Sequence, residues 1–462
     1  MIELRFFDRQ AARDLPASVV GELDTIELLS RVRRIPDGAP LFMDGFRPVP
    51  FWFDYGLWLS GAQREPTLRQ YSYLVAKFAR YLDDKQLRIP DVSEADIVEY
   101  RESRRAAGGL SDVSWKLDGT ILRSVFEYAI YKGLVPRLPW FDYGRRNAVR
   151  QPTVSAPNVR GLTEAEWAQF KSIGLMGRDL KGRPDSSFVG LWAMRNIVGA
   201  QIALATGLRV QEFSTLLLPE VLAPTNERGG LYLTVQAVAK GKRRRTVYVP
   251  SGAVQRMRAF IRTDRAALLA HLGGATHTKR EGMFLIEAWQ PGILTLEGTI
   301  DGGPHSTRVE TMSPALRART FIRSEDGYQP LALFVNSWGR MASKSTWHRV
   351  FAAASARVAA HPSSLSMARD VHPHTLRHTF ARRYLAYLHR AALEHAGDSE
   401  WGEIDPLVTV QRALGHSSLE TTAKYIAGDT VSSQVEELFH LETDESADFA
   451  ELIERFKDRK TI

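Results

Sequence analysis

The chain has 462 residues, with 61 Lys and Arg against 53 Asp and Glu, and a formal net charge of +8. At roughly 100–200 residues per domain, this length predicts two or three domains. The sequence contains no cysteine, which excludes disulfides, thiolate zinc sites and a cysteine nucleophile and fits a cytoplasmic protein. It has no uncharged apolar run of about 18 residues, as a membrane span would need, and its start does not resemble a secretion signal.

The charge is distributed unevenly along the chain. Residues 432–462 contain nine acids and four Lys or Arg, a net charge of −5, so the remaining residues carry +13. A basic body with an acidic tail indicates a polyanionic partner such as nucleic acid. A soluble protein with an ordinary basic bias would show the same totals, so charge alone leaves both interpretations open.

Helical periodicity begins at Thr67. Residues 1–65 are rich in proline and aromatic residues, as in RPVPFWFDYGLWL, and are predicted to be an irregular extension of unassigned function. Apolar residues recur at helix spacing in TLRQYSYLVAKFARYL, a second helix is predicted after Ser93, and a third should end at Gly133. A helical domain is therefore predicted over about 66–145, followed by a basic, proline-containing linker over 146–161.

A second domain is predicted over residues 162–430. Thr163 and Glu166 fit a capping box at its first helix. The stretch LYLTVQAVAKGKRRRTVYVP predicts two β-strands around a Lys/Arg-rich turn. Residues 270–330 are Gly-rich and polar with weak periodicity, and we interpret them as an insertion with some structure of its own. Further helices are predicted over 345–358, over 374–390 and from 406, and residues 431–462 form a tail.

Four short segments of the second domain stand out. They are ATGLRVQEFSTLLL with Arg209 at a predicted helix start, the basic turn with Lys240, HPHTLRHTFARRYL with His374 and Arg377 one helical turn apart, and LGHSSLETTAKYIA with His416 nine residues before Tyr425.

Each segment alone has an ordinary structural interpretation. Arg209 could form a surface ion pair, Lys240 could be a solvated turn residue, and Tyr425 could be a packed aromatic. His374 and His378 have the i,i+4 spacing of zinc ligands, but the stretch lacks the Glu of H-E-x-x-H and an obvious third ligand. No metal is therefore predicted.

Together and in this order, the segments resemble the tyrosine recombinase, or phage integrase, family. The resemblance rests on TGLR-x-x-E over 206–212, H-x-L-R-H over 374–378, L-G-H-x-S…T-x-x-Y over 414–425, and LFVNSWGRMASKSTWHRVF ahead of the second motif. It covers most of residues 66–430. It implies a mainly α fold with a small β-sheet, in which an α+β catalytic domain and a helical core-binding domain form a clamp around DNA. The chain departs from the family in its extended N-terminus and its 270–330 insertion.

The resemblance implies a site-specific recombinase or integrase acting on double-stranded DNA. Tyr425 would attack the phosphodiester and form a 3′-phosphotyrosyl linkage, which preserves the bond energy, so that no cofactor, metal or ATP is needed. Arg209 and Arg377 would clamp the non-bridging oxygens with their planar, permanently charged forks. His374 would act as the acid or base near the nucleophile's proton, and His416 would donate a hydrogen bond to the phosphate.

The basic turn supplies the remaining acid. Lys240 is the better candidate to protonate the leaving 5′ oxygen, with Lys242 as the alternative, because sequence does not fix the geometry of the turn. The neighbouring residues Arg243–Arg245 are predicted to contact the DNA backbone.

Two other functions share these motifs. A type IB topoisomerase uses a similar constellation, but the separate helical domain and the tail disfavour it. A catalytically silent DNA-binding protein on the same scaffold would not require all six polar positions together.

The tail carries its own pattern. In DFAELIERF, Phe449, Leu452, Ile453 and Phe456 form an apolar stripe on one helix face, and the opposite face is acidic. Such a helix could pack on its own domain. The resemblance instead implies docking on a neighbouring subunit, and hence a protein that is monomeric in solution and a homotetramer on paired DNA sites.

Overall fold

The computed structural model describes residues 1–9, 35–45, 47–63, 67–107, 112–141, 149, 161–188, 190, 192–272, 281–324, 327–361, 370–394 and 405–426. Within these ranges, residues 112–113, 393 and 424–426 are described by their backbone alone. The chain divides into two compact units, Met1–Ser155 and Ala156–Ile462. None of the helices in the described ranges combines the length and apolar character that a bilayer crossing requires.

In its described residues, the first unit contains a small antiparallel sheet and four α-helices. Its elements are β1 (Glu3–Phe6), β2 (Pro40–Asp44), β3 (Arg47–Pro48), α1 (Pro50–Ala62), α2 (Thr67–Asp84), α3 (Glu94–Ala106) and α4 (Asp112–Tyr131). The strand order is β1-β2-β3.

The three helices predicted for this unit are confirmed as α2, α3 and α4. The inner face of α2 is buried, with Phe78 and Leu82 in the core. Helix α3 begins at a capping box, because the Ser93 backbone N–H donates to Asp96 Oδ2 at 2.8 Å. Helix α4 ends just before Gly133, whose φ of +69° suits glycine.

The described parts of residues 1–65 are more regular than the sequence predicted. They contain β1–β3 and α1, and Trp52, Tyr55 and Leu59 of α1 are buried in the same core as α2–α4. The hydrophobic periodicity of the sequence did not predict helix α1. The segment PFWFDYGLWL is apolar on most of the helix circumference, so no polar face distinguishes it as an amphipathic helix. Gly56 also lets the helix approach β2 closely, since a Cβ there would lie 2.4 Å from the Pro40 carbonyl oxygen.

In its described residues, the second unit is mainly helical with two sheets, as predicted for an α+β domain. Its helices are α5 (Glu164–Gln169), α6 (Ala193–Thr206), α7 (Val210–Ser214), α8 (Leu218–Val221), α9 (Ser251–Phe260), α10 (Ala266–His271), α11 (Pro314–Ala318), α12 (Lys344–Ala360), α13 (Pro373–Glu394), α14 (Pro406–Leu414) and α15 (Leu419–Ile426). Its strands are β4 (Leu231–Val235), β5 (Arg245–Val249), β6 (Phe284–Ile286), β7 (Thr295–Ile300), β8 (Gly303–Arg308), β9 (Thr320–Ser324) and β10 (Gly327–Pro330).

Helix α6 runs through the centre of this unit. It packs against α13, α9 and β5, and its small residues allow close approach. A Cβ on Gly199, for example, would lie 2.1 Å from the indole of Trp347 in α12. The capping box at the start of α5 is confirmed, because Glu166 N–H donates to Thr163 Oγ1 and Thr163 N–H donates to Glu166 Oε2. These contacts fix the helices on which the motif residues stand.

The two sheets differ in how well the sequence predicts them. The hairpin β4–β5 is confirmed, with Leu231 opposite Val249 and Val235 opposite Arg245. The 270–330 region contains a five-stranded sheet of order β10-β9-β6-β7-β8, in which β6 and β9 are parallel. Part of this sheet, including Leu296, joins the main core. The 431–462 tail lies outside the described residues.

Gly207 provides a test of this packing. It ends α6 with φ +62°, and a Cβ there would lie 2.4 Å from Phe380 Cδ1 and 3.0 Å from Leu414 Cδ2. We expect Gly207→Ala to lower the free energy of unfolding by about 2–5 kcal/mol, from left-handed strain and overpacking combined. The matched control is Gly182→Ala, where φ is +80° but nothing lies within 4 Å, so that only about 1–2 kcal/mol of strain remains. Urea unfolding of the full chain measures both, and equal losses would contradict the packing argument.

Candidate active site

Arg377 joins two of the sequence motifs. Its side chain is completely buried on α13. One terminal nitrogen, Nη1, donates to the carbonyl of Gly207, and the other, Nη2, donates to the carbonyl of Leu414 at 2.5 Å. These carbonyls lie at the C-terminal ends of α6 and α14, where unpaired backbone oxygens carry partial negative charge. The guanidinium therefore ties the TGLR motif to the LGH motif.

Arg209 stands at the N-cap of α7 beside a buried carboxylate. Its backbone N–H donates to Glu212 Oε2 at 2.8 Å, and its Nη1 donates to Glu212 Oε1 at 3.2 Å. Glu212 has no exposed surface, whereas the Arg209 side chain is 22% exposed. The carboxylate thus holds both ends of Arg209 and leaves part of its guanidinium accessible.

Arg245 of β5 neutralises the same carboxylate. Its Nη1 and Nη2 donate to the two oxygens of Glu212 at 2.9 and 2.6 Å. Burial alone would raise the pKa of Glu212, but the hydrogen bonds and charge of Arg245, the Arg209 backbone N–H and the charge of Arg377 together hold it below its usual range. Glu212 is therefore ionised, and its carboxylate oxygens accept hydrogen bonds from Arg209 and Arg245.

The prediction that Arg245 contacts the DNA backbone is corrected by this geometry. The side chain is only 11% exposed and both of its terminal nitrogens bond to Glu212. Arg243 and Arg244, in contrast, are exposed beside it. Sequence alone treated the three arginines as one basic run, but the strand register turns the third one inward.

The two motif histidines lie close to these arginines. His374 is in the first turn of α13 and is exposed, while its ring meets that of His378 edge-on at 4.7 Å between ring centroids. His416 follows the left-handed Gly415 that ends α14, and its Nδ1 lies 3.1 Å from the buried Thr422 Oγ1. The hydroxyl of Thr422 thus fixes the orientation of the His416 ring.

Both histidines are held in their neutral form. Partial burial and the charges of Arg377, Arg209 and Lys240 lower the pKa of His374 to about 4. Burial and the charges of Arg377, Arg209, His374 and Arg245 lower the pKa of His416 to about 3. The shared causes show that the positive groups act on one small region. A bound anion would offset these charges and raise both pKa values towards their ordinary range.

The basic turn brings Lys240 towards this region. Residues Lys240–Lys242 form a short turn between β4 and β5, and both lysines are exposed. The charge of Lys240 is among those that lower the pKa of His374. Lys242 has a left-handed φ of +54°, which turns the chain back towards β5.

Tyr425 is described by its backbone alone. It lies in the last turn of α15, which packs against α13 and α14. Thr422, the partner of His416, is one helical turn earlier on the same helix. The position of the Tyr425 side chain lies outside the described residues.

No metal centre accompanies these residues in the part of the chain that the structure describes, where no group of three His, Asp or Glu side chains could hold an ion. Sequence reasoning quoted Glu212 as part of a motif but gave no role to it, to Arg245 as its partner, or to Thr422. A signal was present for Glu212, because it stands three residues after Arg209 as an N-terminal capping residue would.

Profiles of known families match both units. The phage integrase family matches residues 192–388, and the phage integrase N-terminal SAM-like domain matches residues 52–133. The chain belongs to the phage integrase family, which is the tyrosine recombinase family. The second match begins inside α1, so it includes a helix that the sequence analysis had assigned to the N-terminal extension.

Individual relatives have low sequence identity to this chain, but the similarity extends over most of its length. Tyrosine recombinase XerD of Pseudomonas aeruginosa is 24% identical over 370 residues, which cover 80% of this chain and 89% of the relative. XerD of Shewanella oneidensis is 21% identical over 369 residues, covering 80% and 88%. Among solved structures, the Tn1549 transposon integrase in complex with circular intermediate DNA has a TM-score of 0.47 at 18% identity, covering 84% of this chain and 98% of that one. The XerH recombinase bound to palindromic difH substrate has a TM-score of 0.46 at 17% identity, covering 81% and 79%.

The shared electrostatic causes at the two histidines can be tested without DNA. We expect NMR titration of the free protein to place both pKa values well below 6.5, and we expect Arg209→Met to raise both, because the charge of Arg209 lowers each of them. His348 is the internal control, since burial and the charges of Lys344 and His372 lower its pKa, and it should not respond. Ordinary titration of His374 and His416 near 6.5 in the unaltered protein would contradict the geometry.

Proposed function

We propose that this chain is a site-specific DNA recombinase that cuts and rejoins strands through a 3′-phosphotyrosyl intermediate at Tyr425. The observation that carries the proposal is that Arg377 bonds to the carbonyls of Gly207 and Leu414, which brings the segments of Arg209 and His416 to the helix that carries His374 and Arg377. Membership of the phage integrase family supports the reaction class. It also favours recombination over the topoisomerase and the silent DNA-binding protein.

The arrangement suits a phosphodiester. The site holds several cations around one carboxylate, and that carboxylate is already bonded to Arg245 and Arg209. The excess positive charge therefore remains available for an anionic substrate. Arg209, with its accessible guanidinium, binds the non-bridging oxygens directly. Arg377 was predicted to be the second arm of this clamp, but its side chain is buried with both terminal nitrogens on backbone carbonyls, so it supplies its permanent charge to the site instead. Stabilisation of this type contributes roughly 10²–10³ in rate per donor.

The remaining groups move protons. A phenol has a reference pKa of about 10, so Tyr425 must lose its proton as it attacks phosphorus. His374 is neutral at pH 7 and can accept that proton, and its basicity rises when the phosphate offsets the surrounding charge. Lys240 protonates the leaving 5′ oxygen, and His416 donates a hydrogen bond to the phosphate. The electrostatic proximity of Lys240 to His374 supports it over Lys242.

The energetics need no external input. The attack exchanges one phosphate ester for another, so the 3′-phosphotyrosyl linkage preserves the bond energy of the broken phosphodiester. Attack by the free 5′ hydroxyl of a partner strand on this linkage reverses the step and releases the tyrosine. Neither ATP nor a metal is required for this balance. We further infer a cytoplasmic location, supported by the lack of cysteine in the sequence.

The nucleophile is tested by Tyr425→Phe. We expect the variant to fold and bind DNA but to lose covalent attachment entirely, because the phenyl ring has no oxygen to form the ester. Incubation with a suicide substrate, followed by denaturing electrophoresis, measures the adduct. The matched control is Tyr232→Phe, an exposed tyrosine on β4, which should form the adduct normally. Adduct formation by the Tyr425→Phe protein would overturn the assignment.

We also propose that the protein is a monomer in solution and a homotetramer on two paired DNA sites. The support is the 432–462 tail, with a net charge of −5 against +13 elsewhere and an apolar stripe in DFAELIERF. Acidic charge disfavours contact with DNA and suits docking on a basic neighbouring subunit. Cyclic docking of this kind closes a ring of protomers.

Assembly is tested by removing the stripe. We expect deletion of residues after 445, and the point variant Leu452→Asp, to spare binding to a single site but to abolish the tetrameric complex in native gels. Asp448→Asn, outside the apolar stripe, is the control and should assemble normally. Normal tetramers and recombination from the truncated protein would show that the tail merely packs on its own domain.

A further inference from the structure

Three arginines follow the proposed acid Lys240 on the β4–β5 hairpin, and the last of them is built into the site rather than directed at solvent. We propose that Arg245 is a positioning residue for strand transfer: it fixes Glu212, and through it Arg209, while it also supports the turn that carries His416. This role rests on the proposed function of the site.

The first link runs through Glu212. Arg245 binds both carboxylate oxygens, and the same carboxylate caps the backbone of Arg209 and pairs with its guanidinium. A planar guanidinium can satisfy both oxygens at once, whereas an ammonium cannot. Without that fork, the carboxylate is free to rotate, and Arg209 loses the fixed partner that aims it.

The second link runs to the LGH motif. Gly415 has φ +65°, and a Cβ there would lie 2.7 Å from Arg245 Cδ and 3.2 Å from Nε. The aliphatic part of Arg245 therefore packs directly on the Gly415 backbone, immediately before His416. The charge of Arg245 also contributes to the lowered pKa of His416.

The third link is covalent. Arg245 is the first residue of β5, where it pairs with Val235 of β4, and it follows Lys240 by five residues on the same hairpin. Arg245 thus belongs to the hairpin whose turn carries the proposed acid, and its side chain contacts both the carboxylate that orients Arg209 and the turn that presents His416. A bare structural ion pair would have only the second of these contacts.

The same unit contains a second buried arginine–glutamate pair, which serves as a matched control. Arg317 donates to both oxygens of Glu220 at 2.7 and 3.1 Å, and Glu220 caps α8 by accepting from the Leu217 backbone N–H at 2.9 Å. Both members are buried. The two pairs share their chemistry, but the bonds of the Arg317–Glu220 pair go to Leu217, Thr215 and Val309, none of which carries a proposed catalytic side chain.

The kinetic test compares Arg245→Lys with Arg317→Lys. Displacement of a reacting group by ~1 Å can cost about 10²-fold in rate, so we expect Arg245→Lys to slow single-turnover covalent cleavage at saturating DNA by about that factor. Its DNA affinity and the salt dependence of binding should stay within about twofold of the unaltered protein. Arg317→Lys should lower the urea midpoint but cleave at the normal rate. Glu212→Gln combined with Arg245→Lys should cost no more than the larger single effect, because both changes break one link.

Two results would overturn the proposal. A normal cleavage rate for Arg245→Lys, with weaker binding and a shallower salt dependence, would identify Arg245 as a phosphate contact. Equal loss of cleavage in Arg317→Lys would show that any buried ion pair of the unit has this effect.

A third measurement does not depend on the reaction. In the free protein, Arg245→Met should raise the pKa of His416 in an NMR titration, and Arg317→Met should not. If the unaltered protein forms no adduct with DNA, the proposed function fails, but this titration still decides whether Arg245 supports the His416 turn. An unchanged pKa of His416 in Arg245→Met would refute that link.

Discussion

The carboxylate of Glu212 is buried among arginines, and the geometry of the site depends on how its charge is shared. A buried carboxylate is tolerated only when hydrogen bonds and opposite charges replace the water it has lost. Here Arg245 supplies a two-bond fork, Arg209 supplies its backbone N–H and one guanidinium bond, and Arg377 adds its charge. Three arginines surround one carboxylate, so the region keeps a net positive charge. The carboxylate also reduces the repulsion between the arginines and so allows them to lie close together.

The helix ends complete this balance. Arg377 is fully buried and would be costly there without compensation, but it reaches the carbonyl ends of α6 and α14. Those carbonyls are exposed to it because each helix ends at a left-handed glycine, Gly207 and Gly415. The backbone carbonyls therefore compensate the charge of Arg377 and hold its guanidinium in place, as the Glu212 carboxylate does for Arg209. Together with partial burial, the resulting excess charge lowers the pKa values of His374 and His416, and it suits a phosphate ligand.

Local rules made much of this predictable. The helices α2–α4, the capping boxes at Ser93 and Thr163, and the β4–β5 hairpin each follow from interactions between residues close in sequence. The motif residues were identified by order and spacing, and the structure brings Arg209, Arg377, His374 and His416 together. For residues 270–330 the sequence predicted only some structure of unspecified type, because the strands of this sheet are short, those of its hairpin β7–β8 are partly exposed, and one pairing is parallel. The inward course of Arg245 depends on a carboxylate 33 residues away, which no local pattern reveals.

The large sequence separation between Arg377 and its carbonyl partners also affects when this part of the fold can form during synthesis. Its two carbonyl partners lie 170 residues before it and 37 residues after it along the chain. Contacts of such sequence separation form late, and during synthesis a domain closes only when its last segment has left the ribosome. The contact between Arg377 and Leu414 therefore cannot form until α14 has been synthesised, and α15 with Tyr425 follows directly. A chain that ends before α15 would have the arginines and Lys240 but would lack Tyr425, the residue proposed to break DNA, so we expect it to be unable to cleave.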